Sequence, residues 1–559
     1  MSSIPDRRAF MTYFAGLGLG STLLPGVLWA RVAAGAEITA QSIADAAEIA
    51  GLAFDDAERD MMVEGLREQA QRLDALHAVP LANAVAPVLV FDPLPPGQSV
   101  TGEQRPLVRA PVRAPAVPGD LEELAFLPVT QLAELVRTRR VTSMQLTRMY
   151  LGRLERHGPT LQCVVTLTRE RALRQAGAAD EEIARGRYRG PLHGIPWGAK
   201  DLLAVAGHPT TWGAEPFVEQ RFDDDATVVK RLDDAGAVLV AKLTLGALAM
   251  GDVWHGGRTR NPWKPAQGSS GSSAGSASAT AAGLVGFSLG SETLGSISSP
   301  STRCGVTGLR PTFGRVPRTG AMALSWSMDK LGPICRGVED AALVLAAIHG
   351  PDGHDASVKA APFNWDATVQ PSALRVGYLK RDFERDYPNR AFDAAALDVL
   401  RGLGVTLLPV EVPDLPYGAM RIVLIAEAAA AFDELTRSGR DAELKEQGPN
   451  AWPNSFRVAR FIPAVDYVNA NRLRALAVAR WAELMRTVDV IVAPTSSTQL
   501  VATNLTGHPA VILPNGFRDD GTPVSLTFLG GLFGEAPMLA VARAYQEATD
   551  WHMRRPALG

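Results

Sequence analysis

The sequence predicts an α/β protein in which helices pack against a largely parallel or mixed β-sheet. From about residue 120 onward, short apolar runs alternate with segments whose apolar residues recur at helical spacing, which is typical of this fold class. The apolar runs lie at residues 194–197, 237–240, 284–287, 374–378 and 488–492. With 559 residues, 46% of them hydrophobic, the chain can also bury a sizeable core.

Residues 1–36 resemble a twin-arginine export signal. Arg7-Arg8 precedes a modestly apolar run, and Ala34-Gly35-Ala36 offers an A-x-A cleavage site. Gly and Pro interrupt the run, which suits a removable signal better than a membrane-spanning helix. The alternatives are an uncleaved membrane anchor, or a chance arginine pair before a buried helix. We expect a mature protein that begins near Glu37, is periplasmic or secreted, and has no membrane partner once the signal is removed.

Residues 37–119 are predicted to form a helical segment followed by a proline-rich arm. Asp55 is a candidate N-cap, because the acidic Glu58 follows three positions later and apolar residues then recur near helical spacing. Prolines recur throughout residues 80–118, where they keep the chain extended and break helices. We interpret this stretch as an arm that lies on the main body, or as a tether.

Residues 120–559 are predicted to form the main domain. Near its start, Thr142 and Gln145 have the spacing of a capping box, which predicts a helix that places Leu146 and Met149 on one side. Neither an internal repeat nor a block of like charges marks a further domain boundary.

Charge and cysteine content exclude several classes of function. Lys plus Arg total 56 and Asp plus Glu total 59, and this balance gives no basic surface for nucleic acid or for acidic membranes. Cys163, Cys304 and Cys335 are too few for a disulfide framework, although one disulfide and one free thiol stay open. No metal-ligand spacing appears, so we expect no metal, no cofactor and no nucleic-acid partner.

Two G-x-S-x-G strings raise the Ser-His-Asp hydrolases as one interpretation. They would make Ser273 or Ser288 the nucleophile, which needs a strand before it and a helix after it. Ser273 lacks the strand, and glycines and a proline interrupt the sequence that follows Ser288. In a stretch rich in Gly and Ser the pattern also arises easily by chance, so we disfavour this interpretation.

A different set of strings surrounds residues 268–283, which otherwise look like a flexible Gly/Ser linker. The strings are Gly194-Ile195-Pro196-Trp197-Gly198-Ala199-Lys200-Asp201, Gly271-Ser272-Ser273-Ala274-Gly275-Ser276, Gly290-Ser291-Glu292-Thr293-Leu294-Gly295-Ser296-Ile297-Ser298 and Cys304-Gly305-Val306-Thr307-Gly308-Leu309-Arg310-Pro311-Thr312. Further strings are Asn261-Pro262-Trp263, Asp329-Lys330-Leu331-Gly332-Pro333-Ile334 and Asn504-Leu505-Thr506-Gly507-His508-Pro509-Ala510. In order and spacing they resemble the amidase signature family, whose members cut amide bonds. The resemblance covers roughly residues 120–555.

The resemblance implies the amidase-signature fold, with a large mixed central sheet and helices on both of its faces. It further implies a Ser–cis-Ser–Lys triad. Ser296 matches the nucleophile that forms the acyl-enzyme, and Lys200 matches the base. Ser272 matches the bridging serine, whose peptide bond with the preceding residue is cis in the family.

The resemblance also implies the surroundings of the triad. Residues 268–283 are expected to be active-site backbone, with Gly and Ala where larger side chains would block a pocket. The oxyanion donors match the backbone N–H groups of Thr293, Leu294, Gly295 and Ser296. The family's pocket wall runs past Ala249 and Met250.

Each residue type suits its role. A serine hydroxyl becomes a good nucleophile when a base removes its proton, and lysine is a base only when neutral, a form that burial favours. Lowering a lysine pKa from about 10.4 to about 7–8 takes about 4 kcal/mol. A second hydroxyl can relay the proton because it both donates and accepts hydrogen bonds.

Three positions depart from the family pattern. Leu294 stands where Gly is usual, Glu292 where Asp is usual, and Ser298 where Arg is frequent. These changes leave the triad intact and leave the substrate preference open. Residues 425–475 are a candidate pocket wall, with ordinary core packing as the alternative for their aromatic side chains.

The functional expectation is an exported hydrolase that cleaves the carbon–nitrogen bond of a small-molecule or peptide-like amide. Esters and carbamates are compatible with the same triad. One alternative is a transamidase-subunit-like protein that acts on misacylated tRNA with partner subunits, and another is a non-catalytic binding protein. A homodimer also stays open.

Overall fold

The computed structural model describes residues 38–49, 52–79 and 82–558. The predicted twin-arginine signal, residues 1–36, and the expected mature start at Glu37 lie outside the described residues. Both therefore stay predictions, as do the domain boundaries.

The described strands form one large sheet and two small two-stranded sheets. Their bounds are β1 (Val164–Leu167), β2 (Pro196–Lys200), β3 (Val238–Leu243), β4 (Val253–Trp254), β5 (Gly257–Arg258), β6 (Arg260–Asn261), β7 (Lys264–Gly268), β8 (Phe287–Glu292), β9 (Thr307–Arg310), β10 (Lys330–Cys335), β11 (Val376–Leu379), β12 (Leu407–Val410), β13 (Val490–Pro494), β14 (Ala510–Phe517) and β15 (Pro523–Gly530).

The large sheet has eleven strands in the order β1-β3-β2-β8-β10-β9-β14-β15-β13-β11-β12. Strand β2 pairs in parallel with β3 and β8, and β11 pairs in parallel with β12 and β13. The other neighbours are antiparallel, including every pair from β8 to β13. The prediction of a mixed sheet is thus confirmed.

Helices flank the large sheet on both faces, as the fold prediction expects. Their bounds are α1 (Ala40–Ile49), α2 (Asp56–His77), α3 (Val129–Arg137), α4 (Ser143–Leu161), α5 (Arg169–Ala184), α6 (Thr227–Asp234), α7 (Ala274–Ala281), α8 (Ser298–Cys304), α9 (Val338–Ile348), α10 (Lys380–Glu384), α11 (Arg390–Gly402), α12 (Tyr417–Met420), α13 (Ile422–Ala431), α14 (Asp433–Arg437), α15 (Trp452–Ala459), α16 (Ala464–Thr487), α17 (Thr498–Thr506) and α18 (Glu535–Glu547). Short 3₁₀ helices lie at Leu121–Phe126, Glu215–Phe217, Ala247–Ala249, Pro371–Ala373, Arg440–Glu443 and Trp551–Met553.

Reciprocal capping begins two helices where the sequence predicts them. Asp55 accepts a hydrogen bond from the backbone N–H of Glu58 at 2.8 Å, and the Glu58 carboxylate accepts one from the Asp55 N–H at 2.8 Å. Thr142 and Gln145 exchange the same pair of bonds, at 3.0 and 2.8 Å. Each pair satisfies backbone donors that the first helical turn leaves free, so α2 and α4 begin directly after Asp55 and Thr142.

The strand predicted at residues 284–287 begins later, at Phe287. The residues between α7 and β8 form a connection in which the Arg336 guanidinium satisfies the backbone. It donates to the carbonyl oxygens of Thr280, Val285 and Gly286 at 2.6, 3.0 and 3.2 Å. An apolar run of this length is therefore buried without being a strand, because a distant arginine supplies its hydrogen-bond partners.

The proline-rich arm lies on the main body. Val108 and Trp365 are joined by a backbone hydrogen bond of 2.9 Å, and Ala367 donates to the Val108 carbonyl at 2.9 Å. The Gln104 side chain exchanges hydrogen bonds of 2.9 and 2.8 Å with the Phe363 backbone. These contacts support the interpretation as an arm rather than a tether.

All three cysteines of the chain are free thiols with buried side chains. Burial raises the pKa of Cys163 to about 12 and also raises the pKa of Cys304 and Cys335. The alternative of one disulfide is therefore wrong for this structure. Among the described helices, none combines the length and the apolar character that crossing a bilayer requires.

Candidate functional site

The site lies where parallel strands β2 and β8 end together. Their register pairs Ala199 with Leu289, so Lys200, the last residue of β2, comes beside the end of β8. The carboxyl ends of parallel neighbours meet at one edge of a sheet, where side chains from separate motifs can converge. Ser291 reaches this edge from β8, and Ser272 reaches it from the segment that precedes α7.

Lys200 is fully buried and is held by three serine hydroxyls. Its Nζ lies 2.8 Å from Ser272 Oγ, 3.0 Å from Ser273 Oγ and 2.9 Å from Ser291 Oγ. The lysine is therefore in direct hydrogen-bond contact with the bridging serine that the family resemblance implies.

Burial lowers the pKa of Lys200 well below its ordinary value. The negative charges of Asp329 and Glu292 oppose this shift, but they do not reverse it. A neutral amine can accept a proton. Its hydroxyl partners can remain hydrogen-bonded to it whether the amine is neutral or protonated, because a hydroxyl both donates and accepts hydrogen bonds. The surroundings of Lys200 thus favour the protonation state in which lysine is a base.

Close backbone packing explains the small residues at 268–283. A Cβ atom on Gly271 would lie 1.7 Å from the Gly251 carbonyl oxygen, and one on Gly275 would lie 2.4 Å from the Thr244 nitrogen. Helix α7 is buried at every residue. The segment is therefore packed backbone rather than a linker, and the approach that requires glycine at 271 and 275 is to neighbouring backbone. The Gly271–Ser272 peptide bond is cis, as the resemblance implies.

Ser296 lies in the turn between β8 and α8 and keeps 9% of its surface exposed. Its carbonyl oxygen accepts a hydrogen bond of 3.0 Å from the Ser273 N–H, which joins this turn to the segment that carries Ser272. The preceding Gly295 has φ +89°, a left-handed conformation that favours glycine. Among the contacts of the described residues, no hydrogen bond joins the Ser272 and Ser296 hydroxyls directly.

Glu292 fixes the end of this turn. Its carboxylate accepts hydrogen bonds from the N–H groups of Ile297 and Ser298 at 2.9 and 2.8 Å, and it pairs with Arg310 at 2.8 Å. Burial alone would raise the Glu292 pKa, but Arg310 and the hydrogen bonds outweigh it and lower the pKa to about 2. The ionised side chain thus anchors the first amides of α8, a position that favours negative charge.

Asp329 holds the other end of the turn. It accepts a hydrogen bond of 2.5 Å from the Thr293 hydroxyl, and further bonds from the N–H groups of Leu324 and Ser325 at 2.8 and 3.0 Å. Burial raises the pKa of Asp329, while the Thr293 hydrogen bond acts in the opposite direction. Its contacts are those of a structural carboxylate rather than of a proton carrier.

A second buried lysine has a different environment. Lys242 Nζ forms an ion pair of 2.7 Å with Asp201. Asp201 in turn accepts hydrogen bonds from the N–H and hydroxyl of Thr211, at 2.9 and 2.5 Å. Lys242 and Asp201 therefore hold a loop in place. Of the two lysines Lys200 and Lys242, Lys200 is the one whose direct partners are uncharged.

A cavity of about 420 Å³ reaches the site at Ser291, whereas Lys200, Ser272 and Ser296 are not among the residues that line it. Ser291, which contacts Lys200 Nζ, lines it together with Thr293 and Ala249, and its apolar walls are Leu202, Met322, Leu324, Trp326 and Leu331. Met250 packs against the main hydrophobic core. Asn83, Ala84 and residues 86–90 of the N-terminal arm also line it, a position that the sequence does not indicate.

Sequence reasoning missed two partners of the lysine. The sequence pattern suggests Ser273 only as an alternative nucleophile, and it assigns no role to Ser291. Both hydroxyls contact Lys200 Nζ. The alternative nucleophile Ser288 donates instead to the Ser276 carbonyl at 3.0 Å inside the core. No residue of the candidate pocket wall at 425–475 is among those that line this cavity, and its aromatic residues Trp452 and Phe456 are buried and stack on each other.

Comparison with known proteins agrees with this geometry. A family model described as Amidase matches residues 145–502. A glutamyl-tRNA(Gln) amidotransferase subunit of Chloroflexus aurantiacus is 34% identical over 486 residues, which cover 78% of this chain and 100% of that protein. The protein of the same name from Azoarcus sp. is 35% identical over 77% of this chain and 99% of that protein.

Solved structures give the same result. The peptide amidase of Stenotrophomonas maltophilia is 33% identical, with a TM-score of 0.68 over 78% of this chain and 99% of that protein. A peptide amidase in complex with the competitive inhibitor chymostatin is 32% identical, with a TM-score of 0.69 over 78% of this chain and 100% of that protein. Since the family model spans more than half of the sequence and these relatives align over nearly their whole length, this chain belongs to the amidase family and carries the amidase signature.

Proposed function

We propose that the protein cleaves a carbon–nitrogen amide bond through an acyl-enzyme formed on Ser296. The observation that carries this proposal is the buried Lys200, whose Nζ lies 2.8 Å from Ser272 Oγ and whose pKa is lowered by burial. A neutral lysine in contact with a serine hydroxyl is the arrangement that a proton relay requires.

In the proposed mechanism, Lys200 takes a proton from Ser272 as Ser272 takes the proton of Ser296. The Ser296 oxygen then attacks the amide carbonyl carbon, and the carbonyl oxygen becomes an oxyanion. The backbone N–H groups of the turn at 293–296 are the proposed donors to this oxyanion. The relay returns the proton to the nitrogen, the C–N bond breaks, and the amine leaves. Water then attacks the ester by the same route and releases the acid.

The direct test is acylation of Ser296 during turnover of an amide panel. Mass spectrometry of the wild-type protein should find the acyl group on the peptide that contains Ser296, and Ser296→Ala should lose both the adduct and product release. Ser299→Ala is the matched control, because Ser299 lies three residues away and is exposed. Full activity of Ser296→Ala would exclude this nucleophile.

A second experiment tests the base. Lys200→Met should lower kcat/KM by about 10²–10⁴-fold, because methionine cannot take up a proton. Residual activity should also lose the decline at low pH that protonation of Lys200 causes in the wild type. Lys230→Met, at an exposed lysine, should behave like the wild type. Equal pH profiles for wild type and Lys200→Met would contradict the assignment.

The second candidate function is that of a transamidase subunit that acts on misacylated tRNA. It is supported by the name of the relatives, which are subunits of glutamyl-tRNA(Gln) amidotransferase and which this chain matches over their full length. The peptide amidase structures support the first candidate, hydrolysis of an amide. Both functions begin with cleavage of an amide, so the proposed acyl-enzyme serves either.

The two functions differ in what the purified chain does alone. A stand-alone amidase should release acid and amine from simple amides at the same rate with or without other proteins. A transamidase subunit should instead depend on added partner subunits and transfer nitrogen to glutamyl-tRNA. Esters and carbamates belong in the same panel, because the triad can cleave them by the same steps.

A further inference from the structure

The arm segment at residues 83–90 is fixed at its start. The Asn83 amide nitrogen donates to the Ala323 carbonyl at 2.8 Å, and its amide oxygen accepts from the Ala323 N–H at 2.8 Å. Ala323 belongs to the 318–324 stretch that lines the cavity from the main body. A paired amide contact of this kind sets the position of the arm relative to the cavity wall.

The segment is also fixed directly after its end. The Phe91 ring packs against Phe313 with centroids 5.3 Å apart, and the Arg474 guanidinium lies 3.4 Å from the Phe91 centroid. The next residue, Asp92, pairs with Lys359 at 2.6 Å. The residues between Asn83 and Phe91 are therefore held across the cavity at both ends.

The residues held in this way present apolar side chains that nothing covers among the described residues. Val88 is 97% exposed and Leu89 is 89% exposed, although both line the cavity together with Ser291 and Thr293. Single exposed apolar side chains are ordinary on a protein surface. Here two adjacent ones line the same cavity as Ser291, the direct partner of Lys200, so a molecule bound there would remove them from water.

Three charged side chains of the cavity wall, Arg318, Asp355 and Asp329, already have partners within the protein. Arg318 pairs with Asp355 at 3.0 Å and donates to the Trp326 carbonyl at 2.7 Å and to Ser357 at 3.0 Å. Asp329 accepts from Thr293 and from two backbone N–H groups. Neither Arg318 nor Asp329 is left to neutralise a charge on a substrate, and burying an unpaired charge is costly.

We propose that the arm completes the substrate pocket and selects an uncharged amide with an apolar group, which packs against Val88 and Leu89. This inference rests on the proposed amide cleavage at Ser296 and adds the substrate class. It places the specificity determinant upstream of residue 145, where the family model begins.

The test compares acetamide with two longer amides, hexanamide and N-hexylacetamide. The measured quantity is the ratio of kcat/KM for each longer amide to kcat/KM for acetamide. The double variant Val88→Ser/Leu89→Ser should lower this ratio roughly tenfold for at least one longer amide, because a methylene in an apolar pocket contributes about that much discrimination. Asn83→Ala, which releases the start of the segment, should shift the same ratio in the same direction.

The control is Val465→Ser/Val468→Ser on α16, where both valines are exposed, 69% and 56% respectively. This control should leave the ratio unchanged. Equal ratios for wild type, the arm variants and the control would overturn the inference while the proposed function stands. If the wild type cleaves no amide, the proposed function fails. In that case calorimetry measures the binding of hexanamide to the wild type and to Val88→Ser/Leu89→Ser. Weaker binding by the variant supports the inference, and equal binding overturns it.

Discussion

Lys200 shows how a residue at the centre of the proposed reaction can be poorly accommodated by the fold. Its burial deprives an ammonium group of water, and its nearest partners are hydroxyls rather than carboxylates. Lys242 is equally buried but is compensated by the Asp201 carboxylate at 2.7 Å. A base must be able to lose its proton, so the absence of a direct carboxylate contact among the described partners of Lys200 suits its proposed role.

This environment predicts a gain of stability when the lysine is removed. Lys200→Met should raise the melting temperature at pH 7 and increase the free energy of unfolding by about 1 kcal/mol, a gain that is common when a strained active-site residue is replaced. The control Lys230→Met, at an exposed position, should leave the melting temperature unchanged.

The gain should also depend on pH. The pKa of Lys200 is lowered in the folded state, so the unfolded state binds more protons between that lowered pKa and about 10.4. Wild-type stability therefore gains a contribution as pH rises through this window, and the advantage of Lys200→Met should shrink. Thermal melts at several pH values check this, and a constant difference would contradict the lowered pKa.

At the scale of elements, the junction of β8 and α8 depends on one buried ion pair. Glu292 connects the first amides of α8 to Arg310 on β9 and also accepts from the Asn504 amide at 2.8 Å. The turn that carries Ser296 lies between Glu292 and α8. Its geometry therefore depends on a carboxylate that takes no part in the proposed chemistry.

Glu292→Gln should destabilise the protein by about 3–5 kcal/mol, because it leaves the buried Arg310 without a counter-charge. Glu292→Asp keeps the charge and should cost less. Because the Glu292 pKa is lowered to about 2, its contribution is present above the unfolded pKa and is lost as pH falls through about 2. Denaturant unfolding measures the difference, and a Glu292→Gln protein as stable as the wild type at pH 7 would refute it.

At the scale of the whole molecule, the N-terminal helices form a small cluster of their own. Ile38 and Ile43 pack with Met62, Val63 and Leu66, apart from the main core. Deletion of residues 1–79 should therefore leave the main melting transition unchanged. Deletion of residues 1–119 also removes the contacts of Asn83, Phe91 and Val108 and should lower the melting temperature. Equal melting temperatures for the two truncated proteins would contradict this division of roles.

Export is a prediction about the whole chain that the described residues do not touch. The Arg7-Arg8 pair carries it. Replacement of both arginines by lysine should keep the protein in the cytoplasm, whereas the wild type should appear in the periplasm or medium with its N-terminus near residue 37. Cell fractionation with N-terminal sequencing gives the answer, and cytoplasmic wild-type protein would refute export.

The sequence predicts the site more completely than the surroundings of the site. Lys200 and Ser272 lie in separate motifs, and their contact follows the family pattern. The contacts of Ser291 with the lysine depend on how β2 and β8 pair, which no local pattern specifies. Strands β10 and β14 were missed as strands because Pro333 and Pro514 interrupt their β pattern. The sequence predicts that the arm lies on the main body but not where it lies, because a proline-rich segment has no periodicity. The partner of Asn83, Ala323, is 240 residues away in the sequence.

The buried cysteines have a practical consequence for all of these measurements. Cys163, Cys304 and Cys335 are each fully shielded, and each lies in a different stretch of the main domain. A maleimide dye added to the native enzyme should stay unreacted, and it should label the three sulfur atoms only as the structure around each one opens. The protein therefore carries internal reporters of local opening that require no engineering, and stepwise labelling during heating would show which part of the fold loosens first.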